Sequence, residues 1–192
     1  MTKAGVVHVE ETGIRAEGKL LWGYNSSTDR YTYQIVSQKR GVEGIIENGV
    51  LANFKGISVH DCWGPYWKFE TNHAVCCVHI LRELNEIIKN NPKHTWAKSL
   101  KDLLLNMLKT KKDAIISGLD RLNEEKLKEY SEEYDCIFQI ANKECPPPPE
   151  VVEKKRGRKA KGIERSLIER LIKLQDSICL FIKDFAVLFD NN

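Results

Sequence analysis

The sequence predicts an α/β protein with a mixed sheet, in which the strands come first and the helices follow. Three β-rich runs joined by short turns occupy the first third of the chain, at residues 6–9, 19–24 and 31–36. From His73 onward the apolar residues recur at helical spacing instead. This change of period separates a strand-forming region from a helical one.

Two further elements complete the strand-forming region. A short helix is predicted over residues 41–47, ending near Asn48-Gly49. Residues 56–60 form a fourth predicted strand, and Asp61 follows it directly. The order strand, strand, strand, helix, strand is the layout of a ribonuclease-H-like core, in which the first and fourth strands are neighbours.

The rest of the chain is predicted to be mainly helical. Apolar stripes at 80–88 and 100–108 predict two helices, and a third, highly charged helix is predicted over 119–140. Four prolines at 146–149 then form a stiff, extended spacer in front of a basic run. The predicted segments are a ribonuclease-H-like core with strands 1 to 4 (1–72), a helical insertion (73–144), a proline-rich and basic linker (145–162) and a long C-terminal helix that returns to the core (163–192).

The last segment has a 4-3 apolar spacing that allows two interpretations. Its members are Leu167, Leu171, Leu174, Ile178, Phe181, Phe185 and Leu188. The spacing is typical of a coiled-coil seam, which would give self-association. We favour packing on the domain instead, because only about three heptads are available and aromatic residues occupy the later positions.

Composition and charge exclude several classes of protein. The 192 residues are 42% hydrophobic and 30% charged, as in a globular protein, and no apolar run is long enough to span a bilayer. The net charge of +3 does not by itself indicate a nucleic-acid partner. Six scattered cysteines and the absence of a signal-peptide pattern predict a cytoplasmic protein with free thiols and no membrane partner.

Glu10 and Glu11 stand side by side after the first apolar run, and the pair has two interpretations. In the ordinary one, the strand leaves the core, its first exposed residues are charged, and Thr12-Gly13 turns the chain. In the other, Glu10 is a metal-binding acid at a strand end, and Asp61 is the partner that it needs. Glu11 does not substitute easily for Glu10, because adjacent strand residues point to opposite faces.

Several consecutive blocks of the sequence resemble one family. They are HVEETGIR, TDRYTYQIVSQKRG, ANFKGISVHDCWGPYWKF, HAVCCVHILREL and DFAVLFDNN. In this order, and from about His8 to Asn192, they look like blocks of the insertion-sequence-sixty-six transposase family. Members of that family cut and join DNA.

The resemblance implies a ribonuclease-H-like catalytic core with a helical insertion, in which three acids bind two divalent metal ions, Mg²⁺ or Mn²⁺. Glu10 stands where the family has its first acid, an Asp, and Asp61 matches the second. The third acid of the family pattern, a Glu, would follow Asn192. We therefore expect Glu10 and Asp61 to be the catalytic, metal-binding residues of an inactive, truncated central domain with doubtful metal binding. The alternative is a non-catalytic DNA-binding or regulatory fragment that acts with an intact transposase.

The chemistry explains why the identity of these acids matters. Two Mg²⁺ ions about 3.5–4 Å apart activate the nucleophile and neutralise charge at the phosphate. Mg²⁺ demands hard oxygen ligands in a near-ideal octahedron, so an acid that bridges two ions tolerates little displacement. Glu is longer than Asp by one carbon–carbon bond, roughly 1.5 Å, and a shift of about 1 Å can cost on the order of 100-fold in rate.

Cys76 and His79 resemble a Cys-x-x-His element that buttresses the active site in several transposase families. We favour structural packing near the site for these two residues. A zinc site that includes His73 is one alternative, although on a continuous helix His73 and His79 would lie about 120° apart around the axis. A direct contact with DNA is the other alternative.

Aromatic and basic residues are further candidates for contact with DNA. Core packing is the favoured interpretation of the aromatic residues after Asp61, and stacking against a flipped or single-stranded DNA end is the alternative; they are Trp63, Tyr66, Trp67 and Phe69. The basic run is expected to bind the DNA backbone without reading sequence, through Lys154, Lys155, Arg156, Arg158, Lys159 and Lys161.

Overall fold

A computed structural model of the chain describes residues 1–148 and 162–190. The described residues contain five strands in one mixed sheet, in the order β3-β2-β1-β4-β5. The strands are β1 (Val6–Ala16), β2 (Lys19–Ser27), β3 (Thr32–Ser37), β4 (Ile57–His60) and β5 (Asn72–Val75). β1, β2 and β3 are antiparallel neighbours, whereas β4 is parallel to both β1 and β5. The predicted α/β class with a mixed sheet is confirmed.

The helices of the described residues are α1 (Val42–Asn48), α2 (Cys77–Asn90), α3 (Trp96–Ile116), α4 (Glu124–Glu144), α5 (Ile163–Lys173), α6 (Gln175–Ile178) and α7 (Leu180–Lys183). The chain divides into two compact units. The first, called the sheet unit below, comprises Met1–His79 and Ser177–Asn192. The second, called the helical unit, comprises Ile80–Asp176.

The hairpin of β1 and β2 is longer than the sequence predicts. Ala16 pairs with Lys19, and the two residues between them, Glu17 and Gly18, both have positive φ (49° and 75°). A two-residue loop of this conformation matches the twist of the flanking strands. The predicted turn at Thr12-Gly13 is therefore wrong, because both residues pair with β2.

β5 is a strand that the sequence analysis missed. It is four residues long and pairs with β4, with His73 opposite Ser58 and Val75 opposite His60. Helix α2 begins only at Cys77. A strand of this length is too short to show a period of two, so the sequence pattern predicts the start of the helix here instead.

Helix α1 packs closely on β2 in the sheet unit. The left-handed Gly49 (φ 75°) ends the helix near the predicted position. Gly44 lies where a Cβ atom would come within 2.2 Å of the Tyr24 hydroxyl and 2.4 Å of the Lys39 carbonyl oxygen. The lack of a side chain at Gly44 therefore allows α1 to pack closely on the core. The core consists of Val7, Val9, Tyr24, Ile45, Val50, Leu51, Phe54 and Tyr66.

The helical unit is held together by carboxylates as well as by apolar packing. Trp96 is fully buried at the start of α3, and its indole N–H donates to Glu164 (2.7 Å). Asn91 and His94 also contact Glu164, each at 2.7 Å. The Glu144 carboxylate accepts hydrogen bonds from the backbone N–H groups of Thr95 and Trp96, which satisfies two of the open donors at the start of α3.

The C-terminal segment is not one long helix, and this part of the predicted fold is wrong. α5 ends at Lys173, close to the division between the units, and α6 and α7 have four residues each. At Asp184 the backbone is extended, and the Asp184 carboxylate accepts a hydrogen bond from the Ala186 N–H (2.9 Å). Such local side-chain bonds compete with the helical backbone, which explains why α7 ends there.

The 4-3 stripe nevertheless packs within the chain. Leu167 and Leu171 are at most 3% exposed in the helical unit, and Ile178 and Phe181 are each 1% exposed in the sheet unit. The packing interpretation is confirmed for these four residues. The basic run lies outside the described residues. No described helix is long and apolar enough to cross a membrane.

Candidate active site

Glu10 and Asp61 lie on neighbouring strands. β1 and β4 are parallel, and their pairs are Val6 with Ile57, Val7 with Ser58, and His8 with Val59. Continued by two residues, this register brings Glu10 level with Asp61, which directly follows β4. The predicted adjacency of the first and fourth strands is confirmed, although Glu10 lies inside β1 rather than at its end.

Asp61 begins a loop whose first turn its own side chain stabilises. The Asp61 Oδ1 atom accepts a hydrogen bond from the backbone N–H of Trp63 (2.8 Å), which is a turn that Asp side chains favour. Pro65 and a one-turn 3₁₀ segment, Tyr66–Lys68, follow. One carboxylate oxygen of Asp61 is therefore oriented by the loop that carries the aromatic residues.

Glu11 is the more enclosed of the two adjacent glutamates. Its side chain is 7% exposed, whereas Glu10 is exposed. The Tyr66 hydroxyl donates to Glu11 Oε2 (2.7 Å), and Arg40 Nη2 donates to Glu11 Oε1 (3.3 Å). Burial raises the pKa of Glu11, with a contribution from the negative charge of Asp61, and the bonds from Tyr66 and Arg40 act in the opposite direction. Glu11 is thus electrostatically coupled to Asp61 although it is not the predicted acid.

Arg40 lies over two tryptophan rings beside this carboxylate. Its guanidinium carbon is 4.2 Å from the ring centroid of Trp22 and 4.5 Å from that of Trp63. Both distances are within the range of cation–π attraction. Trp22 comes from β2, Trp63 from the loop after Asp61, and Arg40 from the loop between β3 and α1. The stacked arginine therefore joins three separate segments at this end of the sheet.

His60 and His73 form a short chain of hydrogen-bonding groups under the loop. His60 Nδ1 lies 2.5 Å from the Asp61 carbonyl oxygen, and His60 Nε2 lies 2.9 Å from His73 Nδ1. His73 Nε2 is 3.2 Å from the Phe69 carbonyl oxygen. Burial lowers the pKa of His60 to about 4 and also lowers the pKa of His73. Both rings are therefore neutral at neutral pH.

One of the three contacts made by the His60 and His73 rings goes without a proton. Three contacts need three ring protons, whereas two neutral imidazoles carry two. The contact of His73 with the Phe69 carbonyl is the longest, and His73 is less buried than His60, which has no exposed surface. We therefore assign the His60 proton to Nδ1, facing the backbone carbonyl of Asp61, where the bond helps to fix the first residue of the loop.

Cys76 and His79 occupy the junction between β5 and α2. Cys76 is 1% exposed, and its backbone N–H donates to the His60 carbonyl oxygen (2.8 Å). The Nδ1 atom of His79 is buried and has no hydrogen-bond partner among the described residues. Because His73 lies in β5 and His79 in α2, the assumption of one continuous helix is wrong. In residues 1–148 and 162–190, no group of three His, Cys, Asp or Glu side chains is arranged to hold a metal ion.

Comparison with known protein families identifies the chain. The family model described as the transposase IS66 family matches residues 1–192. The chain belongs to the IS66 transposase family. The predicted resemblance is confirmed over the whole chain, and membership of this family supports a transposase function with DNA as a partner. No curated protein and no solved structure gives a match to the chain.

The transposase family suggests a divalent metal ion, and the acids of this chain fit it only in part. Glu10 and Asp61 offer two carboxylates at neighbouring strands. Mg²⁺ in proteins is often held by one or two carboxylates, with water and substrate phosphate as the other ligands. Two carboxylates are enough for one such ion by this rule, whereas the described residues supply no group of three ligands.

Two residues that contact Glu11 in the IS66 chain were not predicted from the sequence to do so. The sequence pattern gave no role to Arg40, and it predicted core packing for Tyr66 without a hydrogen-bond partner. Its ring is 1% exposed, so the packing interpretation is confirmed for Tyr66, but its hydroxyl also binds Glu11. The sequence signal for these contacts is the group of tryptophans near Asp61, because buried or stacked Trp and Tyr side chains usually find a hydrogen-bond partner for their polar group.

Proposed function

We propose that the chain is the central domain of a DNA transposase of the DDE type, built on a ribonuclease-H-like core, and that this chain alone is catalytically inactive. The observation that carries the proposal is the parallel pairing of β1 with β4, since it brings Glu10 level with Asp61. The strand order β3-β2-β1-β4-β5, with the first three strands antiparallel, supports the proposed core. Family membership supplies the reaction class.

The proposed roles follow from the positions of the carboxylates. Glu10, inside β1, and Asp61, directly after β4, are the residues that would hold a Mg²⁺ or Mn²⁺ ion. A bound ion of this kind polarises a phosphate oxygen and lowers the pKa of bound water. The chain's own residues orient the acids: the Trp63 N–H fixes one oxygen of Asp61, and the register of β1 and β4 fixes the position of Glu10. The basic run at 154–161 is proposed to contact the DNA backbone.

The experiment that tests this proposal is a strand-cleavage assay. Supercoiled plasmid is incubated with the chain and Mn²⁺, and nicked product is measured for the unchanged protein and for Asp61→Asn. The matched control is Asp29→Asn, which makes the same chemical change at an exposed position on the same unit. We expect no nicking above that of a protein-free control. Nicking that Asp61→Asn abolishes and Asp29→Asn leaves intact would support the role of Asp61 but contradict the proposed inactivity, whereas nicking that survives Asp61→Asn would contradict the role of Asp61.

A second candidate function is a non-catalytic DNA-binding or regulatory protein that acts with an intact transposase. The observation that favours it is the partial fit of the acids, with Glu10 in place of an Asp and no group of three ligands among the described residues. DNA binding without nicking, together with co-purification with an intact transposase, would support this candidate. Light scattering of the chain alone would show whether it self-associates.

A further inference from the structure

Arg40 has hydrogen-bonding capacity that its contacts with the described residues do not use. A guanidinium group has five N–H donors in one plane. Arg40 donates one hydrogen bond to Glu11, from Nη2 to Oε1 at 3.3 Å. Charge-assisted bonds of this type are usually about 2.7–2.9 Å and often bidentate. The side chain is also 48% exposed, so a ligand from solvent can reach it.

Two tryptophan rings pack against the guanidinium group of Arg40. The ring centroids of Trp22 and Trp63 lie 4.2 Å and 4.5 Å from its carbon. Its N–H donors all lie in the plane of the group. In-plane paired donors match the oxygens of a phosphate or carboxylate, which is why Arg is used where planar recognition matters.

The neighbouring charges favour Arg40 over the other cation of its loop as the group that binds an anion. Lys39 lies near two carboxylates, Glu43 at 3.0 Å and Glu47 at 3.8 Å. Arg40 instead contacts Glu11 and Trp63, and the backbone N–H of Trp63 donates to Asp61. A phosphate that approaches Asp61 meets the negative charges of Asp61 and Glu11. Arg40 is a cation that contacts the enclosed carboxylate of Glu11.

We propose that Arg40, stacked against Trp22 and Trp63, binds a DNA backbone phosphate and positions the strand beside Asp61. Arg40 is a positioning residue and takes no part in bond making or breaking. The stack holds its side chain in place before DNA arrives, so less rotamer freedom is lost on binding. This inference rests on the proposed function, because it assigns the ligand of the same end of the sheet.

The test measures DNA binding without metal, so that it is independent of cleavage. Fluorescently labelled duplex DNA of mixed sequence is titrated with the full chain in EDTA, and anisotropy gives the affinity at several salt concentrations. The variants are Arg40→Gln and Arg40→Lys. The matched control is Arg30→Gln, which removes the same charge from an exposed residue of the same unit. Thermal unfolding of each variant shows that it is folded.

We expect Arg40→Gln to weaken binding about 10- to 100-fold and to lower the slope of log affinity against log salt by about 1, as for the loss of one phosphate contact. Arg40→Lys keeps the charge and loses the planar fork, so its affinity should fall between those of the unchanged chain and Arg40→Gln. If Arg40→Gln does not fold, a loss of affinity in a folded Arg40→Lys is the supporting result. Arg30→Gln should change affinity much less.

Three results would overturn the inference. The first is an affinity and salt slope of Arg40→Gln equal to those of the unchanged chain, and the second is equal losses in Arg40→Gln and Arg30→Gln. If only Arg40→Lys folds, an unchanged affinity of that variant is the third. Each leaves the proposed function standing, because cleavage at Asp61 is measured separately. A chain that does not bind DNA at all would overturn both.

Discussion

Replacing Tyr66 by Phe removes one hydroxyl from the site and leaves the ring in place. That hydroxyl donates to Glu11 Oε2 at 2.7 Å, and both groups are enclosed, with Tyr66 1% exposed and the Glu11 side chain 7% exposed. Hydrogen bonds to charged groups contribute about 1.5–3 kcal/mol. Because Arg40 still contacts the carboxylate, we expect a loss of about 2 kcal/mol in the free energy of unfolding at neutral pH.

The loss should depend on pH in a direction that the pKa of Glu11 determines. Burial raises this pKa above 4.5, so the folded chain binds more protons than the unfolded chain in that region. The ionised carboxylate therefore costs stability at neutral pH, and the cost disappears as the pH falls through the folded pKa. Removing the Tyr66 bond raises the pKa further, so the destabilisation should be largest at neutral pH and shrink on acidification.

Urea unfolding followed by tryptophan fluorescence measures this effect, since Trp22, Trp63 and Trp67 all lie in the sheet unit. The matched control is Tyr24→Phe, because the Tyr24 hydroxyl donates to a neutral group, the Lys39 carbonyl oxygen, at 3.1 Å. We expect a loss of about 1 kcal/mol for the control, with little dependence on pH. Equal stability of Tyr66→Phe and the unchanged chain at neutral pH would refute the account of the Glu11 carboxylate.

Two further predictions concern the sheet unit. The pKa of His60 is lowered to about 4, so its ring should remain neutral, with the proton on Nδ1, as the pH falls through 6.5; nitrogen chemical shifts of labelled histidine test this, and titration near 6.5 would contradict it. Because the unfolded ring gains its proton first, stability should fall between pH 6.5 and about 4, by on the order of 3 kcal/mol in total. Gly44→Ala should destabilise the fold by about 1–3 kcal/mol, although Ala is the better helix former, because the added methyl group meets a backbone carbonyl at 2.4 Å. Thermal unfolding measures this loss against Gly5→Ala, whose added methyl group meets nothing within 4 Å, and equal melting temperatures would show that α1 can shift away.

The strands that could be predicted from the sequence are those with a local pattern of strand-forming residues. The runs in β1, β2, β3 and β4 contain enough β-branched and aromatic residues to be recognised, and their order led to the correct neighbours, β1 and β4. The polar half of β1 was not recognised, because Glu10 to Ala16 is held by pairing with β2 rather than by burial. Pairing with a distant segment leaves no local signal in the sequence.

The candidate site was predictable in its strand positions and not in its contacts. Glu10 and Asp61 were predicted to meet because the predicted fold makes their strands neighbours, and the register of β1 and β4 brings the two residues level. Glu11 was set aside by the alternation of strand side chains, which correctly separates it from Glu10 but says nothing of its partners. The bonds of Glu11 to Tyr66 and Arg40 span 55 and 29 residues. Contacts over such separations depend on how the loops fold, which no local pattern specifies.

The break in the C-terminal segment has a similar cause. The 4-3 spacing correctly identified buried residues such as Leu171 and Phe181, but a stripe of this kind does not show whether one helix or several short helices present it. The stripe crosses from the helical unit into the sheet unit near Asp176. An apolar pattern predicts which residues are buried. It predicts one continuous helix only when a single compact unit buries the whole stripe.

The central claim, that Glu10 and Asp61 together hold a divalent metal ion, is tested most directly by titrating Mn²⁺ into the chain and detecting free ion by electron paramagnetic resonance. The titration is repeated with Glu10→Gln, with Asp61→Asn and with the exposed control Asp29→Asn. The account predicts one bound ion in the unchanged chain and in the control, and affinity reduced by at least about tenfold in both site variants. Equal Mn²⁺ affinity in all four proteins would contradict it.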